Sequence, residues 1–171
     1  MTQHMNKCPF KQFETWFEEA KKVEKGVESN MMAITTIGLD GYPNSRYVLL
    51  KGVHDGAFVF FTNYQSEKGR EIEKCPKGHM LFIWPSKSWS VRIKGDIEKS
   101  SPEESDAYFK SRPLASQAAA ACSKQSQVMA DDKTEWVGYH LNRLKAYRKC
   151  WKRQREVRSL SRDLSFGVDI G

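Results

Sequence analysis

Five short strand-like runs with few helical segments between them predict an α+β protein, mainly β, in which an antiparallel barrel or sandwich carries peripheral helices. Two further observations point the same way. Strands and helices do not alternate regularly, which argues against a doubly wound nucleotide fold, and no G-x-G-x-x-G or Walker pattern occurs. At 171 residues, 39% of them hydrophobic and 12% aromatic, the chain can bury one sizeable core but hardly two.

The elements follow in order. Residues 10–24 (FKQFETWFEEAKKVE) put Phe10, Phe13, Phe17 and Ala20 at three- and four-residue steps, the periodicity of an amphipathic helix whose aromatic stripe packs on the core. The apolar run 31–37 reads as a strand, closed by GLDGYP (38–43), whose Asp-Gly pair marks a hairpin turn. Two more strands, 47–50 and 57–62, are joined by a polar turn over 52–56. Alternation along 46–51 sets Arg46, Val48 and Leu50 on one face and Tyr47, Leu49 and Lys51 on the other. Unless a bulge intervenes, the two cations need not serve the same group: the arrangement fits either two anionic partners or one buried cation and one at a solvated strand end. Ser66 is placed to cap a short helix, 67–74, which Pro76 ends. Its free N–H groups, with Ser66 and Lys68, would cradle an anion.

Strands 79–84 and 89–98 come next, separated by PSKS (85–88), with Gly95 a candidate bulge. Ser101-Pro102-Glu103-Glu104 is a capping box with proline at the first helical position. The helix it opens carries Tyr108 and Arg112 four residues apart, on one face. Pro113 stops it and opens another helix over 114–121. Arg112 and Ser116 then lie at a new helix amino terminus, where guanidinium, two hydroxyls and N–H groups would converge on a second phosphate.

The net charge of +7 is local. Nine Lys or Arg against the single acid Glu156 lie between Arg143 and Arg162, and the remaining 19 bases and 20 acids nearly cancel. A basic tail on a nearly neutral body gives no nucleic-acid face, and no nucleic acid or membrane is expected as a partner. The four cysteines, Cys8, Cys75, Cys122 and Cys150, have no C-x-x-C spacing, so neither a disulfide framework nor a metal site is expected. No apolar leader or membrane-length run is present, and a cytoplasmic location is expected.

RYVLLK (46–51), FFTN (60–63), SEKG (66–69), YFKSRP (108–113) and SKQSQ (123–127) together resemble, in order and spacing, the pyridoxamine 5'-phosphate oxidases. These are FMN-binding split β-barrel homodimers that oxidise pyridoxine or pyridoxamine 5'-phosphate to pyridoxal 5'-phosphate with oxygen. The resemblance covers residues 10–128. It implies that FMN is held by Arg46, Val48, Leu49, Phe61, Thr62, Lys68, Gln125 and Ser126. It further implies that Lys51, Tyr108, Arg112 and Ser116 bind the substrate phosphate, and that no side chain acts as nucleophile or base, the redox chemistry being the flavin's.

The chain departs from the family's pattern at several points. Glu67 stands where an Arg is usual, and Trp89-Ser90 replaces the usual Arg-Gln. Ala121 replaces a commonly larger residue. The family's Trp-Gly-Gly, Glu-Phe-Trp and Arg-Leu-His-Asp-Arg segments have no counterpart after residue 128. Residues 1–130 are therefore expected to be an FMN-binding split-barrel domain and 131–171 a basic helical tail, in which His140 is solvated. Two readings stay open: a working oxidase, or a non-catalytic relative that binds FMN or pyridoxal phosphate without turnover.

Overall fold

A computed structural model describes residues 5–25, 28–122, 125–126 and 163–169. The chain falls into two units. One comprises Met1–Phe61, Glu71–Lys99 and Phe166–Gly171; the other comprises Thr62–Arg70 and Ser100–Ser165.

The first unit carries the sheet. Strands β1 (Met31–Ile37), β2 (Pro43–His54), β3 (Ala57–Asn63), β4 (Lys77–Trp84) and β5 (Trp89–Lys99) form a curled antiparallel sheet, and β6 (Asp163–Asp169) closes it in the order β1-β2-β3-β6-β5-β4. The inward face is mostly apolar: Met32 and Ile34 from β1, Met80, Phe82 and Trp84 from β4 and Ile93 from β5 are all buried. Helix α1 (Pro9–Val23) lays its aromatic stripe on this core. The Phe13 ring lies 4.8 Å from Phe58 and 5.0 Å from Phe82, in the edge-on arrangement that ring quadrupoles favour. The periodicity over 10–24 thus packs as expected.

The hairpin between β2 and β3 is tighter than the sequence indicates. Both strands run up to a two-residue turn, Asp55-Gly56, with φ of 53° and 77°. Positive φ at both positions matches the right-handed twist of the flanking strands, and glycine takes it without strain. Gly52, expected in the turn, pairs with Val59. The register slips one residue earlier, between Leu50 and Gly52, so Lys51 is the extra residue of a bulge. Gly95, by contrast, pairs with Gly78 in unbroken register. Its partner Gly78 is closely packed: a Cβ there would stand 2.5 Å from Ile97 Cδ1.

Helix α2 (Glu67–Lys74) spans the division between the units. The second unit holds its first turn, α3 (Pro102–Ser111) and α4 (Leu114–Cys122). The Ser101 hydroxyl accepts from the Glu104 N–H at 3.1 Å, the expected cap. The segment 131–171, expected as a helical tail, contributes β6, which pairs with β5 from Asp96↔Asp169 to Lys99↔Phe166. Its basic run and His140 lie outside the described residues. Among the described residues no helix is long and apolar enough to cross a membrane.

Candidate cofactor site

In the first unit, Arg46 belongs to a polar cluster set into the apolar sheet. Strand alternation turns it inward beside Thr36 of β1, and Glu71 of α2 reaches the same point. Glu71 is only 1% exposed. Its carboxylate accepts from Asn44 Nδ2 at 2.8 Å, from the Thr36 hydroxyl at 2.5 Å and from Arg46 Nη2 at 2.6 Å. Arg46 Nη1 donates to the Thr36 hydroxyl and, at 2.9 Å, to the Asn44 carbonyl. Burial pushes the Glu71 carboxyl up, but these hydrogen bonds and the guanidinium charge outweigh it, leaving it below the usual 4.5.

A guanidinium has five N–H donors, and the cluster engages three. Nε–H and one N–H of Nη2 remain for an oxyanion, while the adjacent carboxylate offsets much of the positive charge. Arg46 therefore offers geometry more than net charge. Val48 follows Arg46 on the inner face, Leu49 points to the outer one, and Lys51 is exposed at the bulge. A bulge does intervene at Lys51, so strand alternation no longer fixes its face relative to Arg46.

In the second unit, Lys68 is 7% exposed, and its ammonium donates to the buried Thr62 hydroxyl at 3.0 Å. The Ser66 hydroxyl caps α2 by accepting from the Gly69 N–H at 3.2 Å while donating to the Asn63 carbonyl at 2.6 Å. Being spent on both sides, that hydroxyl holds the turn in shape and is not left over for a phosphate. Glu67 is exposed in the first turn of α2. Phe61, the last residue of β3 in the first unit, is part-exposed.

Also in the second unit, the Arg112 guanidinium lies 6.0 Å from the Tyr108 ring centre, at the outer limit of a cation–π contact. Ser116 sits in the first turn of α4, its N–H bonded to the Pro113 carbonyl at 2.8 Å. Gln117 ties the two helices by donating to the Arg112 carbonyl at 2.7 Å. Gln125 and Ser126 form an exposed turn, with Ser126 at a φ of 62°. Of the residues expected at the site, the structure thus joins Thr62 to Lys68 and Tyr108 to Arg112.

Glu71, Thr36 and Asn44 were not legible as site residues. Glu71 lies 25 positions from Arg46, and an acid on a short charged helix reads as solvated. The only local signal was Thr36, a polar residue at an inward position of an apolar strand.

The curled antiparallel sheet with its helices is a split barrel. The family model described as pyridoxamine 5'-phosphate oxidase matches residues 18–140, and the chain belongs to that family. Pyridoxine/pyridoxamine 5'-phosphate oxidase of Pseudomonas paraeruginosa is 48% identical over 124 residues, covering 72% of this chain and 58% of that protein. The enzyme of the same name from Burkholderia lata is 51% identical over 121 residues, or 71% and 56%. The chain thus spans rather more than half the length of the curated relatives it matches. Among solved structures, PhzG from Burkholderia lata 383, in complex with tetrahydrophenazine-1-carboxylic acid, superposes with a TM-score of 0.77 at 18% identity over 95% of this chain and 76% of that one. A pyridoxamine 5'-phosphate oxidase-related, FMN binding protein from Nostoc punctiforme gives 0.67 at 13% identity over 97% and 83%. These two establish the fold.

Proposed function

We propose that the chain is a cytoplasmic FMN-dependent oxidase of pyridoxine 5'-phosphate or pyridoxamine 5'-phosphate that forms pyridoxal 5'-phosphate. The observation that carries this reading is Arg46, a part-buried guanidinium held on three sides with two N–H donors unspent. Those donors fit a terminal phosphate, and membership of the family assigns Lys68 to the same cofactor. Val48, Leu49, Phe61 and Thr62 would line the cofactor, with Gln125 and Ser126 as further contacts. When bound, FMN would supply the redox chemistry, a two-electron oxidation with oxygen reduced to hydrogen peroxide, the amine substrate also consuming water and releasing ammonia.

The chain's own part is to hold and orient. Tyr108 and Arg112, with Ser116 in the first turn of α4, form the set we assign to the substrate phosphate, and membership of the family assigns Lys51 to the same ligand. None of these residues is asked to move a proton. A second reading, a relative that binds FMN or pyridoxal phosphate without turnover, is favoured by Glu67, which puts a second carboxylate next in sequence to Lys68.

We also propose a homodimer. The outer face of β2, β1 and β4 brings together Tyr47 and Leu49, Met31 and Ala33, and Leu81 and Ile83, with Tyr47 73% and Ile83 54% exposed. A contiguous apolar sheet face of this kind fits a partner surface.

The test is optical. Protein purified in full should be yellow or take up FMN, and pyridoxine 5'-phosphate added without oxygen should bleach it. Yellow protein that the substrate leaves unchanged overturns the oxidase and favours the binding reading. Colourless protein that cannot be reconstituted with FMN overturns both.

A further inference from the structure

Three residues outside the set assigned to FMN hold Arg46, and all four belong to the first unit. Nη1 donates to the Thr36 hydroxyl and the Asn44 carbonyl, and Nη2 donates to Glu71 Oε2. A guanidinium presents its five N–H groups along fixed directions in one plane. The Thr36 hydroxyl and Glu71 Oε2 are 2.5 Å apart, a spacing that only the parallel N–H pair between Nη1 and Nη2 allows. That edge is therefore filled, and the Asn44 carbonyl takes the other Nη1 hydrogen.

What is left is the adjoining edge, where Nε–H and the second Nη2 hydrogen also run parallel. Such a fork matches two oxygens of one phosphate. Among the described residues no buried side-chain nitrogen or oxygen lacks a partner, so Nε, which bonds to none of the three, reaches solvent. Glu71 anchors the arrangement. It is buried, its second oxygen accepts from Asn44 Nδ2 at 2.8 Å, and its own helix is pinned by the buried Ile72 next to it. Thr36 and Asn44 face each other across β1 and β2, and Arg46 follows two residues on, on the same face. Sheet and helix thus grip the guanidinium together, and a side chain so held has little rotamer freedom left to lose when a ligand arrives.

We propose that Glu71 is a positioning residue for the flavin phosphate: by engaging Nη2 on one edge of Arg46, it presents the adjoining Nε–H and Nη2–H edge to the phosphate as a preformed fork. The proposal rests on the flavin reading of Arg46 and adds a residue that touches neither cofactor nor substrate. The Glu71 carboxylate also opposes a phosphate dianion, but it sits off the edge that the phosphate meets. The weakened attraction is offset by a fork that needs no reordering to bind.

The test compares FMN with riboflavin, which lacks the phosphate, by fluorescence titration of the full chain. Glu71→Leu keeps bulk and removes the acceptor, so FMN should bind about tenfold or more weakly while riboflavin stays within about twofold of wild type. Glu71→Gln keeps a carbonyl oxygen for Nη2 and should bring FMN back to within about threefold of wild type. Asn44→Ala keeps the backbone carbonyl that Arg46 uses and removes the side-chain donor to Glu71. It should weaken FMN several-fold and spare riboflavin, and, being a part-exposed change, it decides the matter if the Leu variant does not fold. Equal losses for both flavins would mean that Glu71 only supports the fold, and unchanged FMN affinity in both the Leu and Ala variants would mean that it has no part in binding. A Gln variant as weak as the Leu one would mean that charge, not direction, is what Glu71 supplies. Each of these overturns the positioning role while wild-type flavin binding stands. A wild type that binds neither flavin overturns the flavin reading itself, and the proposal with it.

Discussion

The pairing of Arg46 with Glu71 is the point at which one side chain decides both stability and chemistry. Each of the two is costly to bury alone, and together they satisfy Thr36 and Asn44 as well. Replacing Glu71 by Gln keeps the shape but strands a mostly buried guanidinium, and should cost about 2–3 kcal/mol at neutral pH. The pH dependence has a fixed sign. Because the native carboxyl is held below its usual 4.5, its stabilising contribution is complete above that value and is lost as pH falls through the lowered native value. Urea unfolding of wild type and Glu71→Gln across this range should show a gap that closes on acidification; a gap constant from neutral to acid would mean that Glu71 is not ionised in the native state. Arg46 itself was legible, since its inward orientation follows from a two-residue period that any six residues reveal. Its neutralising partner was not, because that contact depends on how a helix packs 25 residues later.

At the level of elements, helix boundaries with a local signal came through: α2 is bounded by Glu67 and Lys74 as expected, and the capping box opens α3. Whatever depends on a distant strand did not. The bulge at Lys51 exists only relative to β3, and β6 forms because β5 offers an edge to DLSFGVD, a run that reads as tail when taken alone. Helix α2 also contains a closely packed glycine. A Cβ on Gly69 would stand 2.2 Å from the Tyr64 carbonyl oxygen and 2.8 Å from that of Asn63. Both are backbone atoms, which cannot rotate away, and the same turn holds Ser66 and presents Lys68. In an open helix Gly→Ala would stabilise by up to about 1 kcal/mol. Here Gly69→Ala should instead destabilise by about 2 kcal/mol or more and weaken FMN uptake, read by thermal melts and flavin titration. A variant as stable as wild type would show that the turn can open without cost.

For the whole molecule, the question is what the outer face of the sheet does. Single exposed hydrophobic residues are ordinary, but here strand register sets them in rows: Tyr47 beside Ala33 beside Leu81, and Leu49 beside Met31, with Ile83 on the next row of β4. Water on such a face is costly, at roughly 25 cal/mol for each Å² left uncovered. Nothing in the sequence marked the face as a unit, because its members come from three strands and each strand alternates as an ordinary half-buried strand does. If a second copy covers it, Tyr47 and Ile83, the most exposed members, become buried near the centre. Lysine at both positions then places two charges in a desolvated contact, where central interface residues are typically worth about 2 kcal/mol each. Sedimentation velocity should show a dimer for wild type and a monomer for Tyr47→Lys with Ile83→Lys at the same concentration, with thermal melts confirming that the monomer is folded. The dissociation constant should rise by about a thousandfold, as two such losses imply. A double variant that sediments with wild type would remove this face as the interface, and a wild type that is monomeric at micromolar concentration would remove the dimer.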